Sequence, residues 1–167
     1  MILATAHPGG AAEHRRLRRI GLTVVGLLVV AALWATAVLV DDLVRGTGVS
    51  GSPSRLLASG AVVWLGNNLA FALLYWLMDG GGPVARRRRP IPIDFAFTQH
   101  MSPELAPPGW RPQYVDYLIL GLTTSTAFSP TDVMPVAVWA KLTMALQSLI
   151  SLALVGLVIA RAVNVFS

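Results

Sequence analysis

The sequence predicts an all-α membrane protein with three transmembrane helices and one short membrane helix. Three observations lead there. Hydrophobic residues make up 54% of the 167-residue chain and charged residues 13%, about half the charged share of an ordinary soluble domain. A soluble domain this small has too high a surface-to-volume ratio to enclose so much apolar surface. Three stretches also hold enough apolar residues, about 20, to cross a bilayer, and the basic residues cluster beside them.

Residues 1–19 read as a disordered basic segment carrying Arg15, Arg16, Arg18 and Arg19. Residues 20–166 form a single helical membrane domain. Its first span covers 20–40 and contains no charge. A signal peptide cleaved after Ala35-Thr36-Ala37 is the alternative, but Val38 to Val40 continue the apolar run beyond the length such a segment needs. The following loop balances Asp41 and Asp42 against Arg45 and Arg55. The second span covers 56–78 and holds Asn67 and Asn68 near its middle.

The loop 79–113 is the long polar stretch. Gly80, Gly81, Gly82 and Pro83 end the second helix. Pro90, Pro92, Pro103, Pro107, Pro108 and Pro112 argue against any stable helix in it. Ile91, Ile93, Phe95 and Phe97 are expected to lie along the membrane interface, with Trp110 as an anchor at headgroup depth.

A weaker hydrophobic segment covers about 114–128. Its apolar stretch of about 14 residues reaches only about 21 Å as a helix, short of the hydrocarbon thickness. It is therefore either a re-entrant helix or a short fourth span, and its length and hydroxyl-rich end favour re-entry. The third full span covers 136–166, where Lys141 and Arg161 can snorkel to the headgroups.

Eight of the 13 basic residues sit in two clusters, Arg15 to Arg19 and Arg86 to Arg89. The positive-inside rule puts both clusters in the cytoplasm. They read first as a topology signal, with Arg86, Arg87, Arg88 and Arg89 as lipid-headgroup contacts. No aromatic residues interleave with them, so no nucleic-acid partner is expected.

Enzymatic chemistry finds no motif. There is no Cys, no H-E-x-x-H and no G-x-S-x-G. His7, His14 and His100 are isolated, so no metal and no cofactor are expected. Asp79 to Arg86, DGGGPVAR, superficially looks like the motif of membrane CDP-alcohol phosphotransferases. Its spacing fails, and the downstream aspartate pair is missing. Asp94, His100 and Asp116 would be an enzyme's residues only if they converged. As ordinary loop residues they are solvated.

Uncharged polarity at membrane depth is the informative signal. Thr143, Gln147 and Ser151 recur every four residues and share one helix face, with Ser148 beside it. In lipid such a stripe must face protein or water. Interhelical hydrogen bonding, for example Gln147 to Asn67, is one reading. The wall of an aqueous pathway is the other. The hydroxyl run Thr123, Thr124, Ser125 and Thr126, then Phe128, Ser129-Pro130 and Asp132, suggests the second. An apolar half-helix, a polar strand and a long following helix are the parts of a pore loop, where hydroxyls and carbonyls replace an ion's hydration shell.

Residues 114–166 resemble the pore-helix, filter and inner-helix unit of two-helix potassium channels. DYLILGLTTSTAFSPTDVMP parallels that family's T-T-V-G-Y-G-D pattern. The resemblance implies filter roles for Thr123 and Thr124, and it matches Asp132 and Pro135 to the terminal aspartate and the proline. The filter is degenerate, because no glycine stands between Gly121 and Gly156.

Residues 56–166 are also similar to a family of uncharacterised bacterial integral membrane proteins. The shared segments are WLGNNLAFALLYWLMDGGGP, DFAFTQ, PGWRPQYVDYLILGLTTSTAFSPTDVMP and WAKLTMALQSLISLALVGLVIARAVNVF. Other members often carry additional N-terminal spans, which implies a shortened version here. The resemblance implies a bacterial inner membrane location, with the N-terminus cytoplasmic by the charge rule.

The functional expectation is a non-enzymatic, pore-loop, cation-channel-like protein in the lipid bilayer. Its permeant partner would be a monovalent cation, and it would assemble as a symmetric homo-oligomer because one loop cannot enclose a pathway. Thr123 to Thr126 would line the constriction, Asp132 would attract cations, and Gln147 and Ser151 would face the cavity. The alternative is a non-conducting membrane scaffold or accessory subunit, in which the same residues, with Asn67 and Asn68, join helices.

Overall fold

A computed structural model describes residues 9–45, 53–88, 92–126 and 133–166. In it, α1 (Gly9–Arg45), α2 (Pro53–Met78) and α6 (Val138–Phe166) are each long and apolar enough to cross a membrane. Between α2 and α6 lie α3 (Pro83–Arg88), strand β1 (Phe95–Phe97), the single turn α4 (Thr98–Met101), α5 (Tyr114–Ser125) and strand β2 (Val133–Pro135).

Helix α2 is central, packing against α1, α5 and α6. Glycines set its close approaches. A Cβ on Gly60 would lie 2.9 Å from Val158 Cγ2 of α6. One on Gly121 of α5 would lie 2.6 Å from Asn68 Oδ1 and 3.3 Å from the Asn68 carbonyl. Two apolar clusters divide the bundle lengthwise. Leu39, Leu43, Leu56, Leu154, Val158 and Ala162 pack at one end. Phe71, Tyr75, Phe95, Phe97, Tyr117 and Val133 belong to the cluster at the other. The latter is called the Asp79 end below.

Helix α5 is too short to run the length of the bundle. Its twelve residues extend about 18 Å at 1.5 Å per residue. It starts at the Asp79 end, where Tyr114 stacks edge-on against Trp76 and Tyr117 bonds Asp79. The chain is back at that end by β2. There β2 pairs antiparallel with β1, Phe95 opposite Pro135 and Phe97 opposite Val133. The Val136 amide also donates to the Asp94 carbonyl at 2.8 Å. The chain is thus at the same end of the bundle at Tyr114 and at Val133.

Three local expectations differ from the structure. Helix α1 begins at Gly9, so residues 9–19 are helical where disorder was expected. Alanine, arginine and glutamate are strong helix formers there, and the helix needs only to continue outward from its apolar span. The loop 79–113 is not devoid of regular structure, because Pro83 stands at the first position of α3, where its missing N–H costs nothing. Phe95 and Phe97 do not lie along an interface. As alternate residues of β1 they face the same way, and both are buried.

Candidate functional site

The most tightly built polar site is a knot around Asp79, whose side chain is fully buried at the C-terminal end of α2. Its Oδ1 accepts the backbone amides of Asp94 (2.8 Å) and Phe95 (3.3 Å). Its Oδ2 accepts the Tyr117 hydroxyl and lies 3.8 Å from Arg86 Nη1. Asp94 returns the exchange, its Oδ2 accepting the Gly80 amide at 2.8 Å. A buried carboxylate is costly unless paired and hydrogen-bonded, and here both oxygens are engaged.

Arg86 closes the knot. Its Nη1 donates to the Trp76 carbonyl (3.1 Å) and to the Asp79 carbonyl, both left open by the end of α2. Its guanidinium carbon lies 5.3 Å from the centre of the Tyr117 ring, within cation–π range. The intervening glycines make this return possible. Gly80, Gly81 and Gly82 have φ of 52°, 76° and 97°, a left-handed path that L side chains avoid. A Cβ on Gly82 would also lie 2.9 Å from the Leu77 carbonyl.

A layer deeper in the bundle is held by neutral groups. The Tyr75 hydroxyl of α2 donates to Gln147 Oε1 at 2.6 Å, and Gln147 Nε2 donates to the Gly121 carbonyl of α5 at 2.9 Å. One fully buried amide thus ties α6 to both α2 and α5. Ser148 Oγ of α6 donates to the Thr124 carbonyl at 3.0 Å. Asn67 pairs with Thr36 of α1, its Nδ2 donating to Oγ1 at 2.7 Å, and not with Gln147 as the stripe had suggested. Consecutive side chains on α2 point about 100° apart, so Asn67 serves α1 while Asn68 meets α5 at Gly121.

The hydroxyl run takes a different place from the expected strand. Thr123, Thr124 and Ser125 form the last turn of α5, and Thr126 closes it. Thr123 Oγ1 lies 3.0 Å from the carbonyls of both Ile119 and Leu120. Ser125 Oγ donates to Leu122, and Thr126 Oγ1 reaches Leu122 and Thr123. The physical reason is local. A serine or threonine inside a helix can place its hydroxyl on the carbonyl three or four residues before it. In α6, Thr143 Oγ1 likewise bonds its own helix, at the carbonyls of Trp139 and Ala140.

Four buried oxygens in this layer have no hydrogen-bond partner among the described residues: Asn67 Oδ1, Asn68 Oδ1, Thr124 Oγ1 and Ser151 Oγ. Asp132, Phe128, Ser129 and Pro130 lie outside the described residues, as does Arg89. Of the basic run 86–89, Arg86 is turned inward on Asp79 while Arg87 is exposed.

Asp94, His100 and Asp116 each serve a separate backbone amide. Asp94 accepts from Gly80, His100 Nδ1 from Phe97 at 3.2 Å, and Asp116 from Gln113 at 2.7 Å. Asp116 thereby caps α5 from its third residue. His100 packs edge-on against Trp110, ring centres 5.2 Å apart. Burial pushes its pKa below the ordinary value, and the nearby negative charge of Asp79 partly opposes the shift. Trp110 therefore packs on Phe97 and His100.

Sequence reasoning missed the Asp79–Arg86 pair. The available signal was an acid ending an apolar span, three glycines, a proline and an arginine seven residues on. Set against family models, curated proteins and solved structures, the chain matches none.

Proposed function

We propose that this protein is a non-conducting membrane scaffold or accessory subunit built around a re-entrant helix. The observation that carries the reading is Gln147. A side chain expected to face a cavity spends both ends of its amide inside one chain, on Tyr75 and on Gly121. The hydroxyls of Ser148, Thr123, Ser125 and Thr126 are likewise occupied by helix carbonyls. Polar groups used in this way join helices in lipid. The reading assigns the protein no enzymatic activity, and its first partner is the bilayer itself.

The start of α1, with exposed Arg16, Arg18 and Arg19, lies at the same end of the bundle as Arg86 and Arg87, since α1 and α2 run antiparallel with Gly21 beside Leu77. By the positive-inside rule that end is cytoplasmic, in a bacterial inner membrane. On this topology α5 enters from the cytoplasm.

The second reading, a pore-loop cation channel like the potassium channels, draws on a different observation. The C-terminal end of α5 stops inside the bundle near unpaired oxygens of Asn68 and Thr124. A half-helix ending in the membrane directs its negative dipole end at cations. Such a channel would have to be a homo-oligomer to enclose a path. Thr124→Val and Gln147→Leu separate the two readings in purified protein. The scaffold reading expects Gln147→Leu to lose thermal stability, with no cation flux in wild type or either variant. Flux in wild-type liposomes that Thr124→Val abolishes without a change in melting would overturn it.

A further inference from the structure

A cavity of about 590 Å³ opens at the Asp79 end, between the last turn of α2, helix α3 and the turn leading into α5. Three arginines line it, Arg86, Arg87 and Arg111, and among the described residues no acidic one does. Trp76, Trp110 and Tyr114 supply aromatic walls. The arginines come from two separate segments, so the concentration of positive charge is produced by folding and not by the run 86–89 alone.

The walls are stiff. Pro107, Pro108, Gly109 and Trp110 make a tight turn closed by the Trp110 amide on the Pro107 carbonyl at 3.0 Å, with Gly109 at φ 72°. Proline followed by a glycine of positive φ is the sequence of a type II turn. Trp110 is held by Phe97 and His100, and Trp76 stacks against Tyr114 at 5.8 Å. Arg86 is fixed by the Asp79 knot, with its side chain nine-tenths buried. Its Nη1 is spent there, while its Nη2 is buried with no hydrogen-bond partner among the described residues. Arg87 and Arg111 are exposed.

The geometry points to a binding site for a phosphate group, and the position favours the headgroup of an anionic phospholipid. Arginine's planar fork matches phosphate oxygens in pairs. Tryptophan and tyrosine prefer headgroup depth. A basic pocket at the cytoplasmic face of membrane helices is the kind of site that selects anionic lipid headgroups. Arg87 and Arg111 would grip the phosphate, with Arg86 as the rigid inner wall. The site does not depend on whether the bundle conducts.

The test is calorimetric titration of detergent-purified protein with three probes: short-chain phosphatidic acid, phosphatidylcholine of equal chain length, and inorganic phosphate. Wild type is compared with the Arg87→Gln/Arg111→Gln double variant, which leaves the Asp79 knot intact. A lipid source is supported when phosphatidic acid binds, phosphatidylcholine does not, and the double variant weakens binding roughly tenfold or more. Inorganic phosphate binding as tightly as phosphatidic acid, with the same loss in the variant, also supports the phosphate site and makes its source a soluble phosphate ester. Equal binding of the two lipids, an unchanged affinity in the double variant, or no binding of any probe overturns the proposal.

Discussion

The Asp79 knot and the neutral layer below it solve one problem in two ways. At the end of α2 a full charge is buried, and every oxygen of its carboxylate meets a donor. In the layer around Gln147 the buried polar residues are neutral, yet four of their oxygens remain without partners among the described residues. The energetics account for the difference. An unpaired buried charge costs far more than an unpaired buried amide or hydroxyl oxygen. Complete pairing is therefore demanded at Asp79 and only partial pairing at Asn67, Asn68, Thr124 and Ser151. The knot also lies where short segments can converge on it, whereas the layer is built from helices whose own backbones are already bonded.

The comparison is broken most severely by Asp79→Ala. It leaves Arg86 buried and without its counter-charge, and the expected loss is about 3–5 kcal/mol. Thermal melting in detergent reads it. Adding Arg86→Met to Asp79→Ala should recover part of that loss, because a buried pair replaced by apolar groups is much less costly than a broken one. A double variant no more stable than Asp79→Ala would mean that the two residues are not energetically paired.

Gln147→Leu should cost less, about 1–3 kcal/mol, because it strands the Tyr75 hydroxyl and the Gly121 carbonyl. Thr36→Val removes a single neutral hydrogen bond from α1 to Asn67 and should cost about 0.6 kcal/mol, the average for polar contacts between membrane helices. The order of these three melting shifts is the test. A Thr36→Val loss as large as that of Gln147→Leu would show that the layer is not organised around Gln147.

His100 supplies the smallest effect, and it is pH-dependent. Burial lowers its folded pKa below the ordinary value of 6.5, and its Nδ1 must be unprotonated to accept the Phe97 amide. Its contribution is therefore present above about pH 6.5 and is lost as the pH falls from there toward the folded pKa. Wild type should lose more melting temperature between pH 8 and pH 5 than His100→Gln. An equal loss in both would remove His100 from the account.

Hydropathy alone made the three long helices legible, since about 20 predominantly apolar residues in a row carry their own signal. The shortness of the 114–128 segment was legible too, and α5 is a helix of twelve residues. The rest depended on contacts that sequence spacing does not encode. Gln147 finds Tyr75 across 72 residues and Gly121 across 26, so helical periodicity could show that it was buried but not by what. The hydroxyls of Thr123 to Thr126 were legible as polarity at depth. That Thr123, Ser125 and Thr126 bond carbonyls of the preceding turn follows from the run being helical, which the residues alone left undecided. Asp79 was hidden because its meeting with Arg86 requires three successive left-handed glycines. β1 and β2 are three residues each, too short for alternation to stand out.

The central claim is that the polar groups inside this bundle join helices and do not line a path for ions. The most direct measurement is sodium and potassium flux into liposomes holding the purified wild-type protein, beside empty liposomes. The account predicts no flux above the empty control. Cation flux that Thr124→Val abolishes, in a variant that melts at the wild-type temperature, would contradict it.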